Sequence, residues 1–183
     1  MSALYRPASL DDADAIATLH AASWRRSYRG AFRDEFLDGP IDEERRATWR
    51  SRLSSGTKEQ LVVVSLVHDR VEGFVCAYAR ADDGWGVFID NLHVAPGMQG
   101  TGLGTGLLGS VAAWAHLERP GLPPYLWVLE TNVKAQRFYR RRGAVHRESV
   151  VRENPGGGTA TYLRYAWADE RLLASACQDP SRP

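Results

Sequence analysis

Apolar residues recur along this chain at two spacings, and the change from one to the other divides it into elements. Near the start, Ile16, Leu19, His20 and Ser23 follow helical intervals toward Trp24. Ser9 stands where a cap is needed, and Asp11, Asp12 and Asp14 crowd the first turn, where negative charge suits the helix dipole. "SWRRSYRGAFRDEFLDGP" mixes arginines, aromatics and acids and breaks at Gly39-Pro40; a second helix is expected over about Asp42 to Leu53, with Trp49 and Leu53 on one face. The period then shortens. "LVVVSLV" (61–67), the turn "HDR" and "VEGFVCAYA" predict an antiparallel hairpin, "DDG" a further turn, and "WGVFIDNLHVA" another strand. Strict alternation there would put Phe88, Asp90, Leu92 and Val94 on one face, with Val87, Ile89, Asn91 and His93 on the other.

Downstream, "LGTGLLGSVAAWAHLE" reads as a helix and "YLWVLE" as a buried strand. "NVKAQRFYRRRG" follows as a helix closed by Gly143, then "AVHRESVV", a glycine-rich tip "NPGGGTA" expected to be flexible, and "TYLRYAW". No repeat or linker divides the chain. The expectation is a single mixed α/β domain over residues 1–170, with a fraying tail from 171 to 183.

Composition narrows the function classes. The chain has 183 residues, 44% hydrophobic and 25% charged, with a formal net charge of +1, so neither nucleic acid nor a membrane surface is indicated as partner. Two cysteines, Cys76 and Cys177, form no disulfide framework and no metal-binding pair. Residues 1–20 lack the basic start and apolar core of a signal peptide, and no apolar run is long enough for a membrane span, so a cytoplasmic location is expected.

"VAPGMQGTGLGTGLL" (94–108) concentrates the chemistry. Glycine recurs at 100, 102, 104 and 106, although glycine loses more backbone freedom on ordering than any other residue. Gly104 to Gly109 spell a formal G-x-G-x-x-G, but that match begins after the turn and runs into the helix, the wrong place for a dinucleotide site. Leu103 stands where a Walker A loop needs lysine. A plain reading remains, a glycine-rich turn with Gly106 and Gly109 letting the helix pack closely. The competing reading is an anion site, in which the amides of Gln99 to Gly104 open the helix and the missing side chains let a pyrophosphate approach the backbone.

"QGTGLG" (99–104) resembles the Q/R-x-x-G-x-G/A signature of the GCN5-related N-acetyltransferase (GNAT) superfamily. "FIDNLHVAPGMQGTGLGTGLL" is similar to that family's fourth strand, loop and third helix. Glu130, Asn132, Ala135, Phe138 and Tyr139 follow its E-x-N-x-x-A-x-x-F-Y pattern, and "YRPASLDDADAIATLHAASW" is similar to its first strand and helix. The resemblance, from residue 4 to about 168, implies a GNAT fold: a central mixed, mostly antiparallel sheet of about seven strands flanked by about four helices, with strands 4 and 5 splayed.

The resemblance further implies an acetyl-CoA-dependent N-acyltransferase without a metal, in which an amine attacks the thioester directly. Gln99, Gly100, Thr101, Gly102, Leu103, Gly104 and Thr105 would hold the pyrophosphate of coenzyme A. Leu92, His93 and Val94 would meet the pantetheine through their backbone. Asn132 would bond the pantetheine, or simply cap its helix, and Tyr139 would protonate the departing thiolate. Among six Lys or Arg between Lys134 and Arg147, Lys134, Arg137 and Arg140 are candidates for the 3′-phosphate, or a solvated face.

Asp90 is the first candidate for accepting the amine proton, Glu130 the second, with Glu72 and His93 behind them. Family members that acetylate ribosomal-protein N-termini carry a glutamate five residues before the asparagine; Trp127 stands there in this chain and suggests an aromatic-walled acceptor site. Trp24 and Tyr28, with Asp34, Glu35 and Asp38, would either cradle the amine of a small molecule or protein, or belong to packed helices. A non-catalytic acyl-CoA-binding module is the alternative on the same fold, and a homodimer is compatible with the family.

Overall fold

The computed structural model describes residues 3–82 and 85–178. Seven strands form one sheet in the order β1-β2-β3-β4-β5-β7-β6: β1 (Leu4–Pro7), β2 (Gln60–Val67), β3 (Arg70–Asp82), β4 (Trp85–Val94), β5 (Tyr125–Leu129), β6 (Val145–Glu153) and β7 (Thr159–Ala166). Neighbours are antiparallel except β4 and β5. The helices are α1 (Ala13–Ser27), α2 (Asp34–Leu37), α3 (Ile41–Ser54), α4 (Leu103–Glu118), α5 (Val133–Arg141) and α6 (Glu170–Gln178). The α/β class and the mostly antiparallel seven-stranded sheet follow expectation; the described residues hold six helices rather than about four.

Alternation along the strands builds a core on each side of the sheet. Val63, Val75, Ala77, Val87 and Ile89 pack with Leu107, Leu108 and Val111 of α4 and with Tyr139 of α5. Val62, Val64, Phe74 and Cys76 face Ile16 and Ala17 of α1 and Trp49 of α3. A third cluster joins Ala21 and Trp24 of α1 to Phe32, Leu37, Ile41 and Leu129 beside β7. The β2–β3 turn uses His68 and Asp69, both at positive φ (50° and 60°), the geometry that matches the twist of a tight hairpin. Gly143 (φ 81°) closes α5, with the Ala144 amide donating to the Tyr139 carbonyl at 3.0 Å.

Two expectations change. Residues 171–178 do not fray: they belong to α6, whose Leu173 and Ala176 are buried in contact with the α4 side of the molecule. The side chain of Glu170 opens this helix, meeting His116 at 3.1 Å and the Gly121 amide at 2.9 Å. Residues 179–183 of that tail, like residues 83 and 84 of the "DDG" turn, lie outside the described residues. The glycine-rich tip between β6 and β7 is anchored, because Asn154 donates to the Ala31 carbonyl (2.7 Å) and accepts from the Tyr162 hydroxyl (2.6 Å). Among the described residues no helix is long and apolar enough to cross a membrane.

The four alternating glycines divide their work. Gly100 and Gly102 take positive φ (84° and 94°), as the turn requires, with open space around them. Gly104 faces Phe138, and at Gly106 an added Cβ would lie 2.2 Å from the Tyr5 hydroxyl. Gly106→Ala is therefore expected to force Tyr5 or α4 to shift and to lower stability by about 1–3 kcal/mol. Thermal and urea denaturation of the variant measure it, and an unchanged midpoint would show that Tyr5 moves freely.

Candidate active site

Beyond Phe88↔Tyr125 and Ile89↔Leu126, β4 and β5 exchange no further pairs. β5 stays paired to β7 through Leu129, and β4 stays paired to β3 through Val94, so the two halves of the sheet part between them. A cleft of about 250 Å³ opens there. It is lined by Asp90 to Val94 on one side and Leu126 to Leu129 on the other, with Gln99, Gly100 and Gly104 at one end. Asn132, Lys134, Phe138 and Tyr139 of the α5 region and Ser23, Ser27 and Tyr28 of the α1 region complete its walls.

Helix α4 opens onto this cleft. Its first helical amide bond runs from Gly106 to the Gly102 carbonyl (3.0 Å), which leaves the six amides from Gly100 to Thr105 without a backbone acceptor among the described residues. Unpaired amides at the positive end of a helix dipole form an anion site. Leu103 itself is buried, so of this residue only the main chain is available to a ligand. The Thr101 hydroxyl donates back to Met98 (2.7 Å) and stiffens the turn. Lys134 donates to the Gln99 side chain (2.5 Å), and Gln99 in turn donates to the Val94 carbonyl (3.2 Å), tying α5 to the loop. The Gly104–Gly109 stretch lies wholly inside α4, which removes the dinucleotide-loop reading.

Tyr139 is a buried residue of the cleft wall. Burial, helped by nearby Tyr28, holds its pKa above the usual tyrosine range. Tyr28 lines the same cleft and is pushed upward by burial first, then by Tyr162 and Asp90. Asn132 does two things at once, because its Oδ1 accepts from the Ala135 amide (3.1 Å) as a helix cap while the residue lines the cleft.

Asp90 sits where the alternation slips. Cys76 pairs with Asn91 and Ala77 with Ile89, so Asp90 is the extra residue of a β-bulge. The phase flips there: Leu92 and Val94 join Val87 and Ile89 in the α4-side core, and Asp90 does not share their face as strict alternation predicted. Asp90 and Asn91 instead both meet Arg52 of α3, at 2.7 and 3.3 Å. Sequence reading passed over Arg52, since nothing local marks a residue 38 positions from its partner.

Several other candidates are placed elsewhere. Glu130 is exposed and does not line the cleft; its carbonyl accepts from buried Gln136 (2.6 Å), which locks α5 onto β5. Trp24 is buried in the third cluster beneath the Arg45 guanidinium, 4.4 Å from its ring centre, away from the cleft. Arg29 binds both Asp34 and Asp38 at the surface, leaving those acids no cationic ligand to cradle. Arg137 is exposed on α5, and Arg140 donates to the Tyr165 hydroxyl (2.8 Å). Thr105 points its hydroxyl at Arg142, which donates to it at 3.1 and 2.9 Å and puts a permanent cation beside the first turn of α4. Arg142 was hidden in a run of like residues, and only packing distinguishes it. Trp127 does line the cleft, beneath the guanidiniums of Arg152 (3.8 Å) and Arg164 (4.6 Å).

The sequence matches the acetyltransferase (GNAT) family over residues 21–144, and the chain belongs to that family. No curated protein matches it by sequence. Solved structures similar to it include PaiA N-acetyltransferase of Thermoplasma acidophilum in complex with coenzyme A, at TM-score 0.69 and 18% identity, over 90% of this chain and 98% of that one. Another is yncA of Salmonella typhimurium with acetyl-CoA, at TM-score 0.64 and 20% identity, over 91% and 93%. A third is ribosomal-protein-alanine N-acetyltransferase of Brucella melitensis, at TM-score 0.67 and 18% identity, over 89% and 98%. At these identities the likeness is one of fold.

His93 lines the cleft with its Nδ1 2.8 Å from the Ser23 hydroxyl and its ring 4.7 Å from buried His20. Burial first, then the charge of Arg26, push its pKa down to about 3. His20 is lowered in the same direction, by burial and then by His93. In the unfolded chain both bind protons below about pH 6.5, so the native state binds fewer, and stability falls as the pH drops from there toward 3. His93→Gln is expected to flatten this acid loss by up to about 1.4 kcal/mol per pH unit between pH 4 and 6. Urea unfolding across that range tests it, and an unchanged slope would mean His93 is already protonated in the folded protein.

Proposed function

We propose that this protein transfers the acetyl group of acetyl-CoA to a primary amine on a small molecule, by direct attack within a ternary complex. The observation that carries this reading is the parting of β4 from β5 over a cleft that ends at the free amides of Gly100 to Thr105. The amides suit a pyrophosphate, and the edge of β4 at Leu92, His93 and Val94, which no strand pairs on the β5 side, suits an extended amide-bearing arm such as pantetheine. Asn132 and Lys134, lining the same cleft, stand ready for that arm and for its phosphates.

In the chemical step the amine nitrogen bonds to the thioester carbonyl carbon and the carbon–sulfur bond breaks. Tyr139 gives its phenolic proton to the departing sulfur. Held neutral by burial, the phenol has that proton available throughout the physiological range. The attacking nitrogen sheds its proton toward Asp90, whose ion pair with Arg52 holds the carboxylate in place at the cleft wall. Cys76 is fully buried in the sheet and takes no part as a relay nucleophile.

Tyr139→Phe is expected to lower kcat by about 10²-fold while leaving the affinity for acetyl-CoA nearly unchanged. A thiol-release assay with calorimetry measures both, and acetyl-CoA binding without thiol release from any amine would instead make the protein a binding module. The pH profile offers a separate check. Because burial raises the pKa of Tyr139, kcat should rise with pH as the amine deprotonates and show no descending limb below about pH 10. A fall between about pH 8 and 9 that is absent in Tyr139→Phe would contradict a neutral, buried acid.

A further inference from the structure

On the sheet face opposite α4 and α5, next to the cleft, lies a set of arginine and aromatic side chains that the chemistry above does not use. Arg152 of β6 and Arg164 of β7 both lie over Trp127, at 3.8 and 4.6 Å from the ring centre, and Arg164 also lies 4.6 Å from the ring centre of Trp85. Their charges are handled differently. The Nε of Arg164 is 2.7 Å from a Glu148 carboxylate oxygen. Arg152 has no carboxylate within ion-pair distance among the described residues.

Arg152 is also held in place. Two residues on, Asn154 is buried and bonded to both Ala31 and Tyr162, and Gly156 packs so closely on Phe36 that a Cβ there would lie 2.3 Å from the ring. The hairpin end that carries Arg152 is thereby anchored to the segment around Ala31 and Phe36, with the Arg152 guanidinium against the cleft-lining Trp127. Tyr162 feels the charge of Arg152, and Tyr28 in the cleft wall feels both Tyr162 and Asp90. Two acids of this region are matched, Asp90 by Arg52 and Glu148 by Arg164. Among the described residues Arg152 has no carboxylate partner, and the indole it stacks on lines the cleft.

We propose that the acceptor is an amine carrying its own carboxylate, an α-amino acid, whose carboxylate is held by Arg152 above Trp127 while its amine turns toward Asp90. This rests on the acetyltransfer reading above and names its substrate class. A guanidinium binds a carboxylate through two parallel hydrogen bonds, and stacking on the indole restricts its orientation in advance. A polyamine or other purely cationic acceptor would meet uncompensated positive charge at this wall.

The test uses the full chain with acetyl-CoA and a thiol-release assay on the twenty standard amino acids. Phenylalanine, leucine and tryptophan are matched with phenethylamine, isoamylamine and tryptamine, which lack the carboxylate, and spermidine is added. At least one amino acid should be acetylated, with kcat/KM at least about tenfold above its decarboxylated counterpart. Arg152→Gln should reduce that ratio about tenfold through the KM of the amino acid, Arg152→Lys should restore part of it, and Arg147→Gln on the same strand should leave it unchanged. Circular dichroism melts of each variant separate a binding loss from a folding defect. Turnover of spermidine or of the decarboxylated amines with no amino acid acetylated would overturn this inference and leave the acetyltransferase reading standing. A ratio unaffected by Arg152→Gln would also overturn it. Failure to bind acetyl-CoA in calorimetry would overturn both.

Discussion

Two parallel strands that share only two residue pairs organise this molecule. β4 belongs to the half-sheet built on β3, and β5 to the half-sheet built on β7; each is paired along its outer side, β4 with a bulge at Asp90, and open on its inner side beyond Ile89 and Leu126. An open strand edge inside a protein leaves backbone donors and acceptors unsatisfied, which is costly unless a ligand or water completes them. The site is therefore a consequence of how the sheet is divided, and the side chains around it refine what it binds. The side chains of Leu92, Val94 and His93 are taken up by packing, the first two in the α4-side core and His93 against His20 and Phe74, so their main chain is what they present to the cleft.

The helices on one side of the sheet and those on the other reach the cleft for different purposes. α4 and α5 bring unpaired amides, Asn132, Lys134 and a buried phenol, which the proposed reaction would use for its anionic, extended donor and leaving thiolate. α1, with its following turn, and α3 bring Tyr28 and Arg52, while β6 and β7 bring the arginines over Trp127. The bulge at Asp90 links the two sides, because it turns a carboxylate out of the strand alternation at the point where the strands part. On the proposed reading the donor end offers dipole and cation, and the acceptor end offers the Asp90–Arg52 pair and the Arg152 guanidinium, which has no carboxylate partner among the described residues.

Buried tyrosines and histidines set the proton inventory. Desolvation favours the neutral form of each, so it raises Tyr139 and Tyr28 and lowers His93 and His20. The cleft thus holds a neutral acid and a neutral imidazole at ordinary pH, beside the Asp90–Arg52 ion pair in its wall. His93 is consequently a packing and hydrogen-bonding residue against Ser23 and His20, a poor receiver for an ammonium proton.

Local pattern alone was enough to place most elements and the glycine-rich turn before α4. The bounds of α4, the hairpin turn at His68-Asp69 and the cap at Gly143 all follow from spacing and from the conformations that glycine and tight turns permit. Gly100 and Gly102 could be read as turn residues for the same reason. Three things lay beyond that reach, each decided by partners far away in the chain. Alternation could not foresee the bulge at Asp90, because a bulge is a property of two strands and their register. Composition could not separate Trp24, buried under Arg45, from Trp127, open to the cleft, since both are aromatic residues among charges. Nor could it tell which of many arginines would be matched: Arg52 finds Asp90, Arg142 finds Thr105, Arg164 finds Glu148, and Arg152 finds an indole and no acid among the described residues. Local conformation is written in neighbouring residues, whereas burial and charge pairing exist only once distant segments have packed together.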